Sequence, residues 1–425
     1  MIPTLKVKPS AELLHLENFI IHHSCDIEHW FKSQWKRYQP PFYASVDLRN
    51  SGFKLAPVDT NLFPAGFNNL CETFLPLSIQ AVSVAMEKLC PEAKKVIIVA
   101  EGHTRNIFYL KHLFSLSEIL RKSGVEVRIG TINPEVTETL VLPIDESLSI
   151  EIDPIIRNGD YVAIQVDKNT VYRPCAIILN NDLSDGEPEI LKKIKQSLIP
   201  PLHLGWHIRR KTNHFSYYNE VVKEFSEFTN IDPWLINPYF KQLKNLNFQE
   251  RLGEEELSLI VSNMLEKIQA KYNQYGITHE PYVVIKADAG TYGMGIMIAK
   301  NSEDVLNLNR KMRNKMSVIK GGASVTEVII QEGIHSEESI DESVAEPVIY
   351  MIDHFVVGGF FRVHINKGKD ENLNSPGMHF IPQPFETSCI MPDQGRPCDD
   401  EANRFYAYGV IARLALVAAA REMKG

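Results

Sequence analysis

The chain has 425 residues, 44% hydrophobic and 23% charged, with a formal net charge of −8. That composition suits a globular protein with a sizeable core, long enough for two or three packed units. It excludes a dedicated nucleic-acid binder, which needs clustered Lys and Arg, and no apolar run approaches the roughly 18 residues of a membrane span. The start, MIPTLKVKPSAELLHLENF, lacks the unbroken apolar core of a signal peptide. The six cysteines (Cys25, Cys71, Cys90, Cys175, Cys389, Cys398) form no C-x-x-C pair, and are expected to be reduced, mostly buried thiols of a cytoplasmic protein. There are no internal repeats or low-complexity tracts, so one compact multidomain protein is expected. Composition leaves homo-oligomerisation open.

Residues 1–90 mix short helices with a proline-rich irregular stretch. Within it, SVDLRNSGFKLAPVDTNLFPAGFNNL carries Asp47, Arg49, Lys54, Asp59, Asn61, Asn68 and Asn69 among Pro and Gly. A loop so rich in fixed turns and charged groups suits a small zwitterion, which needs cation and anion partners together. The plainer reading is a rigid connector whose Asx side chains cap turns. Residues 91–210 change pattern: KKVIIVAEGHTRN is a buried strand ending in a polar loop, IFYLKHLFSLSEILRKSG has helical spacing, and VEVRIGTI is a second strand. Strand, helix, strand predicts a Rossmann-like βαβ unit of parallel sheet, which CAIILNND joins. Ligands collect at the carboxyl ends of such strands, and those ends carry Glu101, Arg105 and Asn106 and then Asn180-Asn181-Asp182. Residues 211–280 turn helical.

The stretch 284–300, VIKADAGTYGMGIMIAK, is an apolar strand, a loop with Gly290, Gly293 and Gly295, and a second strand. A Walker loop or a dinucleotide fingerprint leads into a helix, and this does not. A hairpin flap over phosphates fits, with bare N–H groups in the loop and Lys286 on the entering strand. VTEVIIQEGI is a strand whose end, Gln331-Glu332-Gly333-Ile334, offers backbone donors and acceptors for an adenine edge. EPVIYMIDHFVVGGFFRVH reads as two strands joined by a turn, with Arg362 among apolar neighbours. Such a guanidinium needs a partner, either phosphate or a core carboxylate. Finally NKGKDENLNSPGMHF clusters the oxygens of Glu371, Asn372 and Asn374, as hard cations prefer.

In this order the pieces resemble the ATP-grasp fold: an α/β (mixed α+β) architecture with an ATP-grasp unit in the C-terminal half and a Rossmann-like substrate domain before it. The resemblance implies boundaries of 1–90, 91–210, 211–335 (flap lobe) and 336–425 (second lobe). It implies ATP and Mg²⁺, Lys286 and Lys211 on the nucleotide (with Arg209 and Arg210 as rivals of Lys211), and the loop Gly290 to Gly295 over the γ-phosphate. Adenine falls at Gln331 to Ile334, Arg362 acts on the transferred phosphoryl group, and Glu371, Asn372 and Asn374 hold the metal. The Glu-x-Asn strand on which many ATP-grasp enzymes end is missing; the chain closes on the apolar helix NRFYAYGVIARLALVAAAREM.

A closer likeness covers most of the chain. D-x-R-x-x-G-x-K-x-x-P-V-D-x-N-L-F-P-x-G-F-N-N-L at 47–70, E-x-H-T-R-N at 101–106, N-N-D-L-S at 180–184, G-W-x-x-R-x-K-x-x-H-F at 205–215, K-A-D-x-G-T-Y-G-M-G-I and N-L-N-S-P-G-M resemble the bacterial glutamate–cysteine ligase family of the ATP-grasp type. The likeness implies L-glutamate, L-cysteine and ATP as the small-molecule partners, joined as γ-glutamylcysteine through a γ-glutamyl phosphate. A sister ligase of the glutathione-synthetase kind, a kinase of the same fold and a catalytically silent nucleotide-binding subunit are the alternatives.

Overall fold

A computed structural model describes residues 11–92, 94–102, 106–290, 295–317, 324–383 and 404–424. Three sheets meet around one cavity. The first is antiparallel, in the order His379–Pro382, Phe355–His364, Ser343–Ile352, Tyr43–Asn50, Leu55–Asn61, with the short Ser339–Ile340 strand beside Ser343–Ile352. It joins both ends of the chain. The N-terminal hairpin extends a sheet whose other strands lie about 300 residues later, so the segments 1–90 and 336–425 share one layer.

The proline-rich stretch read as a loop is largely these two strands. Pro57 is compatible with a strand because Leu55–Asn61 is an edge, where a missing N–H costs no ladder bond. The register jumps beside it, Asp47 facing Asp59 and Leu48 facing Pro57, so Val58 bulges out of the pairing.

Alternation along the strands gives the sheet two different faces. Ser45, Asp47 and Arg49 share one face with Glu346, Val348 and Tyr350 and with Phe360 and Arg362, and all line the cavity. Val46, Leu48, Ile349 and Met351 point the other way, into the main core. The final helix, Arg404–Lys424, covers that face and packs along Lys211–Thr229. It is apolar nearly throughout because both of its sides are buried. Three of its charges pair with other elements: Arg413 with Glu28, Arg421 with Glu224 and Glu422 with Arg209. No described helix is both long and apolar enough to cross a membrane.

The second sheet contains the expected βαβ unit. Lys95–Val99 and Glu126–Thr131 pair in parallel around the helix Ile107–Lys122, and Ala176–Leu179 joins on the far side of Lys95–Val99. The carboxyl ends of Lys95–Val99 and Ala176–Leu179 open on the cavity. The third sheet, Phe240–Lys244, Glu327–Glu332, Val283–Ala287, Ile296–Ala299, is antiparallel and backed by the helix Glu254–Gln274. Phe240–Lys244 was hidden in a segment that reads as helical, because FKQLK has no run of β-branched residues.

The expectation of mostly buried cysteines fails for the described ones. Cys25 and Cys175 are exposed, and Cys71 and Cys90 are intermediate. Each lies at the end of an element or in a turn, where packing is incomplete. Cys389 and Cys398 lie outside the described residues.

Arg209 and Glu422, 1% and 4% exposed at their side chains, pair at 2.9 Å, and Arg209 also donates to the Thr60 carbonyl on the edge strand. Burial works against the Glu422 carboxylate, but Arg209 and His214 hold its pKa down at about 2. Glu422→Ala leaves a buried guanidinium unpaired and is expected to cost about 3–5 kcal/mol in urea unfolding. A loss below about 1 kcal/mol would show that the helix does not depend on this pair.

Candidate active site

The cavity lies between the cavity-facing side of the first sheet and the third sheet, and the carboxyl ends of the parallel strands close one end. Lys286 and Val284 share a face of Val283–Ala287, pointing away from the helix-facing Val283, Ile285 and Ala287. Lys286 Nζ donates to the Val58 carbonyl at 2.9 Å and to Gln331 Oε1 at 2.8 Å. The bulge therefore has a use: it turns a carbonyl toward this ammonium. Burial pulls the Lys286 pKa down to about 8, and the charges of Lys211 and Arg49 act in the same direction.

Lys211 enters from the first turn of Lys211–Thr229. That turn is fixed by Asp288, whose backbone carbonyl accepts the Lys211 N–H and whose carboxylate accepts from the Thr212 backbone, the Thr212 hydroxyl and Gln242. Lys211 Nζ sits 2.9 and 2.8 Å from the two oxygens of Asp59. Burial favours the neutral form of Asp59, but Lys211 and Lys286 hold its pKa at about 2. Of the rivals, Arg209 is locked to Glu422, and Arg210 pairs with Glu327 at 3.2 Å and does not line the cavity.

Arg362 bonds Glu346 directly across the strand pair and Asp47 at 3.0 Å on the next strand. Both acids are thus its core partners. Asp47 has a pKa raised by burial and by the nearby Glu346 and Asp59, against the pull of Arg362. Arg49 is more fully engaged. Its Nε donates to Glu346 at 3.0 Å, Nη1 to the Tyr282 hydroxyl at 3.2 Å and the Ile334 carbonyl at 3.0 Å, and Nη2 to the Glu371 carbonyl at 2.5 Å. It joins two sheets and the 366–378 loop, which leaves little of its fork for a substrate carboxylate.

Other expected residues fall in different places. Gly290 lines the cavity at φ +95° and Gly295 turns at φ +62°, the left-handed region that favours glycine. Gly293 and Arg105 lie outside the described residues. The backbone of Glu332 to Ile334 is not bare: Glu332 and Gly333 donate to the Tyr239 and Tyr282 carbonyls, and the Ile334 carbonyl accepts Arg49 and Tyr282. Gly333 is glycine for packing, since a Cβ there would lie 2.2 Å from the Tyr282 ring. Lys54 and Glu332 form an internal ion pair at 2.8 Å, each 1% exposed at the side chain, under the Trp234 ring. Asn68 bonds Asn69 in a short 3-10 turn, and Asn106 caps Ile107–Lys122 by accepting from Phe108 and Tyr109. Lys54, Asn68, Asn69 and Asn106 do not line the cavity. Asn61, Glu101, Glu371, Asn372 and Asn374 do. Glu371 accepts from Lys367 and the Gly368 N–H, and Asn372 caps the Asn374 N–H, so these oxygens also hold their own loop.

Sequence reading missed Glu346, Tyr282 and Trp206. Glu346 had the same signal that singled out Arg362, a lone charge in an apolar strand. Tyr282 and Trp206 had none, because an aromatic residue among apolar ones reads as core. Among the described residues, three buried donors that belong to cavity-lining residues have no hydrogen-bond partner: Gln331 Nε2, Arg362 Nε and Trp206 Nε1. A buried unpaired donor costs about 1–3 kcal/mol, so the cavity is built for a ligand rich in acceptors.

The family model of the GshA glutamate-cysteine ligases matches residues 17–423. The chain belongs to this family. A crystal structure from Methylobacillus flagellatus KT, named "Putative gamma-glutamylcysteine synthetase", is 56% identical at a TM-score of 0.92, covering 100% of this chain and 99% of that one. A glutathione synthetase-like effector from Globodera pallida, in its apo form, aligns over 86% of each chain at 10% identity and a TM-score of 0.40. No curated protein matches. Membership makes the chain a ligase of the glutamate–cysteine class.

In a GshA family enzyme built this way, Arg49 acts as a structural junction. Arg49→Lys is expected to lower stability by about 2–4 kcal/mol and to raise the KM for ATP and glutamate together. Melting curves and separate substrate titrations check this; a rise confined to glutamate, with unchanged melting, would return Arg49 to the substrate site.

Proposed function

We propose that the chain joins the γ-carboxyl of L-glutamate to the amine of L-cysteine in an ATP-grasp site, through a γ-glutamyl phosphate. The observation that carries this reading is the set of cations and unpaired donors that face one another across the cavity: Lys286 and Gln331 on one sheet with Lys211 at a helix start beside them, and Arg362 on the other sheet. ATP lies between the sheets. Its base packs against Val284, Ile298 and Ile334, and its phosphates reach Lys286, Lys211 and the turn beginning at Gly290. Among the described residues, the Ile334 N–H and the Gly333 carbonyl remain for the adenine edge expected at 331–334, and Gln331 Nε2 is a further donor beside them.

Transfer of the γ-phosphoryl group to the glutamate carboxylate makes a good leaving group of a poor one. The charge that builds on the transferred oxygens is met by fixed guanidinium and ammonium groups that need no reorganisation. Arg362, whose Nη1 is bonded by both Glu346 and Asp47, is aimed by these partners and keeps its unpaired Nε for this work.

The acid groups of the lining outnumber Arg49, Lys211, Lys286 and Arg362, which is unfavourable for a polyanion without a further cation. Mg²⁺ fits this donor set: it needs only one or two carboxylates when phosphate oxygens supply other ligands. No described group of three or more His, Cys, Asp or Glu is arranged to hold a metal unaided. Asp47 and Glu346 beside Arg362 are suited to hold it, with Glu371, Asn372 and Asn374 at the rim. When bound it would neutralise phosphate charge.

ADP release and product mass across a panel of amino-acid pairs test the reading. ADP with γ-glutamylcysteine is expected for glutamate plus cysteine. Product only from γ-glutamylcysteine plus glycine would make it a sister ligase, and no ADP from any pair a silent subunit. Lys286→Met is expected to cut turnover roughly a hundredfold with the fold intact, since a lost charged contact in the transition state is worth about 2–4 kcal/mol. Wild-type rates would remove Lys286 from the site. With a pKa of about 8 in the ligand-free protein, Lys286 is half deprotonated near that pH. A bound polyanion favours the ammonium, so ATP binding takes up protons at and above pH 8, and affinity falls as pH rises through that value. Calorimetry at pH 8.5 in buffers of different ionisation enthalpy reads the uptake, which Lys286→Met should abolish.

A further inference from the structure

The end of the cavity closed by the parallel strands is built differently. Lys95–Val99 and Ala176–Leu179 finish there, carrying Glu101 and Asp182 to the lining. The two acids are fixed to each other, since the Asp182 N–H donates to Glu101 Oε1 at 2.7 Å and the Ser184 N–H and hydroxyl donate to Asp182 Oδ1. Trp206 is fastened to the same loop, its backbone N–H donating to the Asp182 carbonyl at 3.0 Å. Its side chain packs under two cations, the Arg209 guanidinium carbon 4.9 Å and Lys211 Nζ 4.3 Å from the ring. Trp206 is 3% exposed, lines the cavity, and its indole N–H has no hydrogen-bond partner among the described residues.

We propose that Trp206, with Glu101 and Asp182, forms the receptor for the α-amino-acid head group of the acyl donor, the indole N–H binding the α-carboxylate and the acids the α-ammonium. This rests on the ligase reading above. An α-amino acid presents an anion and a cation on one carbon, and here an unpaired donor and two carboxylates share one loop anchor. The N–H is a donor only, so an anion or a carbonyl oxygen is what it can take. The chemistry selects which of the two amino acids sits here. Carboxylates stabilise a protonated amine, whereas the amine that attacks the acylphosphate has to be neutral. The head group held by its charge is therefore glutamate's, which leaves its γ-carboxyl to extend toward Arg362 and the nucleotide. Trp206 is a specificity-determining residue that touches substrate away from the reacting atoms.

Trp206→Phe removes the donor and keeps an aromatic face for the two cations. It is expected to raise the KM for L-glutamate about tenfold or more, the scale of one lost hydrogen bond to a charged group, with the KM for ATP and cysteine unchanged. L-isoglutamine, in which the α-carboxylate is an amide, separates this from a packing defect: the unaltered enzyme should discriminate strongly against it, and the variant only weakly. An unchanged glutamate KM, or equal rises for glutamate, cysteine and ATP, overturns the proposal. Should Trp206→Phe fail to fold, 3-benzothienylalanine at position 206 preserves the shape, replaces N–H by sulfur and is judged by the same criteria. Calorimetric titration of L-glutamate into each protein keeps the two readings apart. If the unaltered chain binds glutamate but forms no γ-glutamylcysteine, the ligase reading falls, and the head-group proposal stands or falls on whether binding weakens in the variant. Failure of the unaltered chain to bind glutamate overturns both.

Discussion

Four charges on three neighbouring strands hold this site together. Asp47, Arg362, Glu346 and Arg49 alternate in sign across the antiparallel sheet, each bonded to the next. Burying such groups is expensive, and a well-packed apolar set often serves stability as well. What the charged set adds is aim. Glu346 bonds both guanidinium groups, and Asp47 joins it in accepting from Arg362 Nη1. Arg49 then carries the order outward, to the hinge carbonyl at Ile334, to Tyr282 and to the 366–378 loop. Loss of one member leaves its neighbours buried and uncompensated, so the floor, the hinge and the rim depend on the same interaction.

The two lysines of the cavity are balanced in another way. Asp59 lies between Lys211 and Lys286, bonded to one and lowering the charge cost of the other. In this role it offers both ammonium groups the negative charge that a phosphate oxygen would offer under the proposed function. The lysines are therefore kept close and oriented without attracting an arbitrary anion strongly. Lys54 looks similar in sequence and is not part of this set. Its pKa is also pulled down by burial to about 8, but its partner is Glu332 and its ring contact is Trp234, behind the hinge. Two lysines in like environments differ in function because only one faces the cavity.

Much of the architecture was legible in the sequence because it is local. The βαβ unit, the hairpin through Asp353 and the two strands flanking the glycine segment follow from spacing and residue type, and each fell where periodicity put it. Lys286, Arg362 and Glu101 were likewise legible as charges in or at the ends of apolar strands, Asp47 and Asp59 as charges of a turn-rich polar segment, and Lys211 through the family resemblance, and they line one cavity. What was not legible depends on partners distant in sequence. Arg49 looked like a carboxylate clamp because its four acceptors lie 233 to 322 residues away. Asn106 and Lys54 looked functional because a cap and an internal ion pair have the same residue types as a binding site. Trp206 was silent, since only the packed structure reveals that its N–H is unpaired.

The same sequence distances explain why the N-terminal motif reads as a loop. The segment 47–61 has poor strand propensity by itself, with Pro57, two aspartates and two asparagines. It becomes a strand pair because Asp47 through Tyr43 can lie on Val348 through Ile352, across a separation of about 300 residues. Closing so long a loop is entropically costly but grows only slowly with length, and the buried face of Val46 and Leu48 against the last helix compensates. Asp47 and Arg362 can meet only after the C-terminal strands have formed, so the floor of the active site is completed late. The flap sheet and the parallel sheet, whose pairings are more local, can form before it.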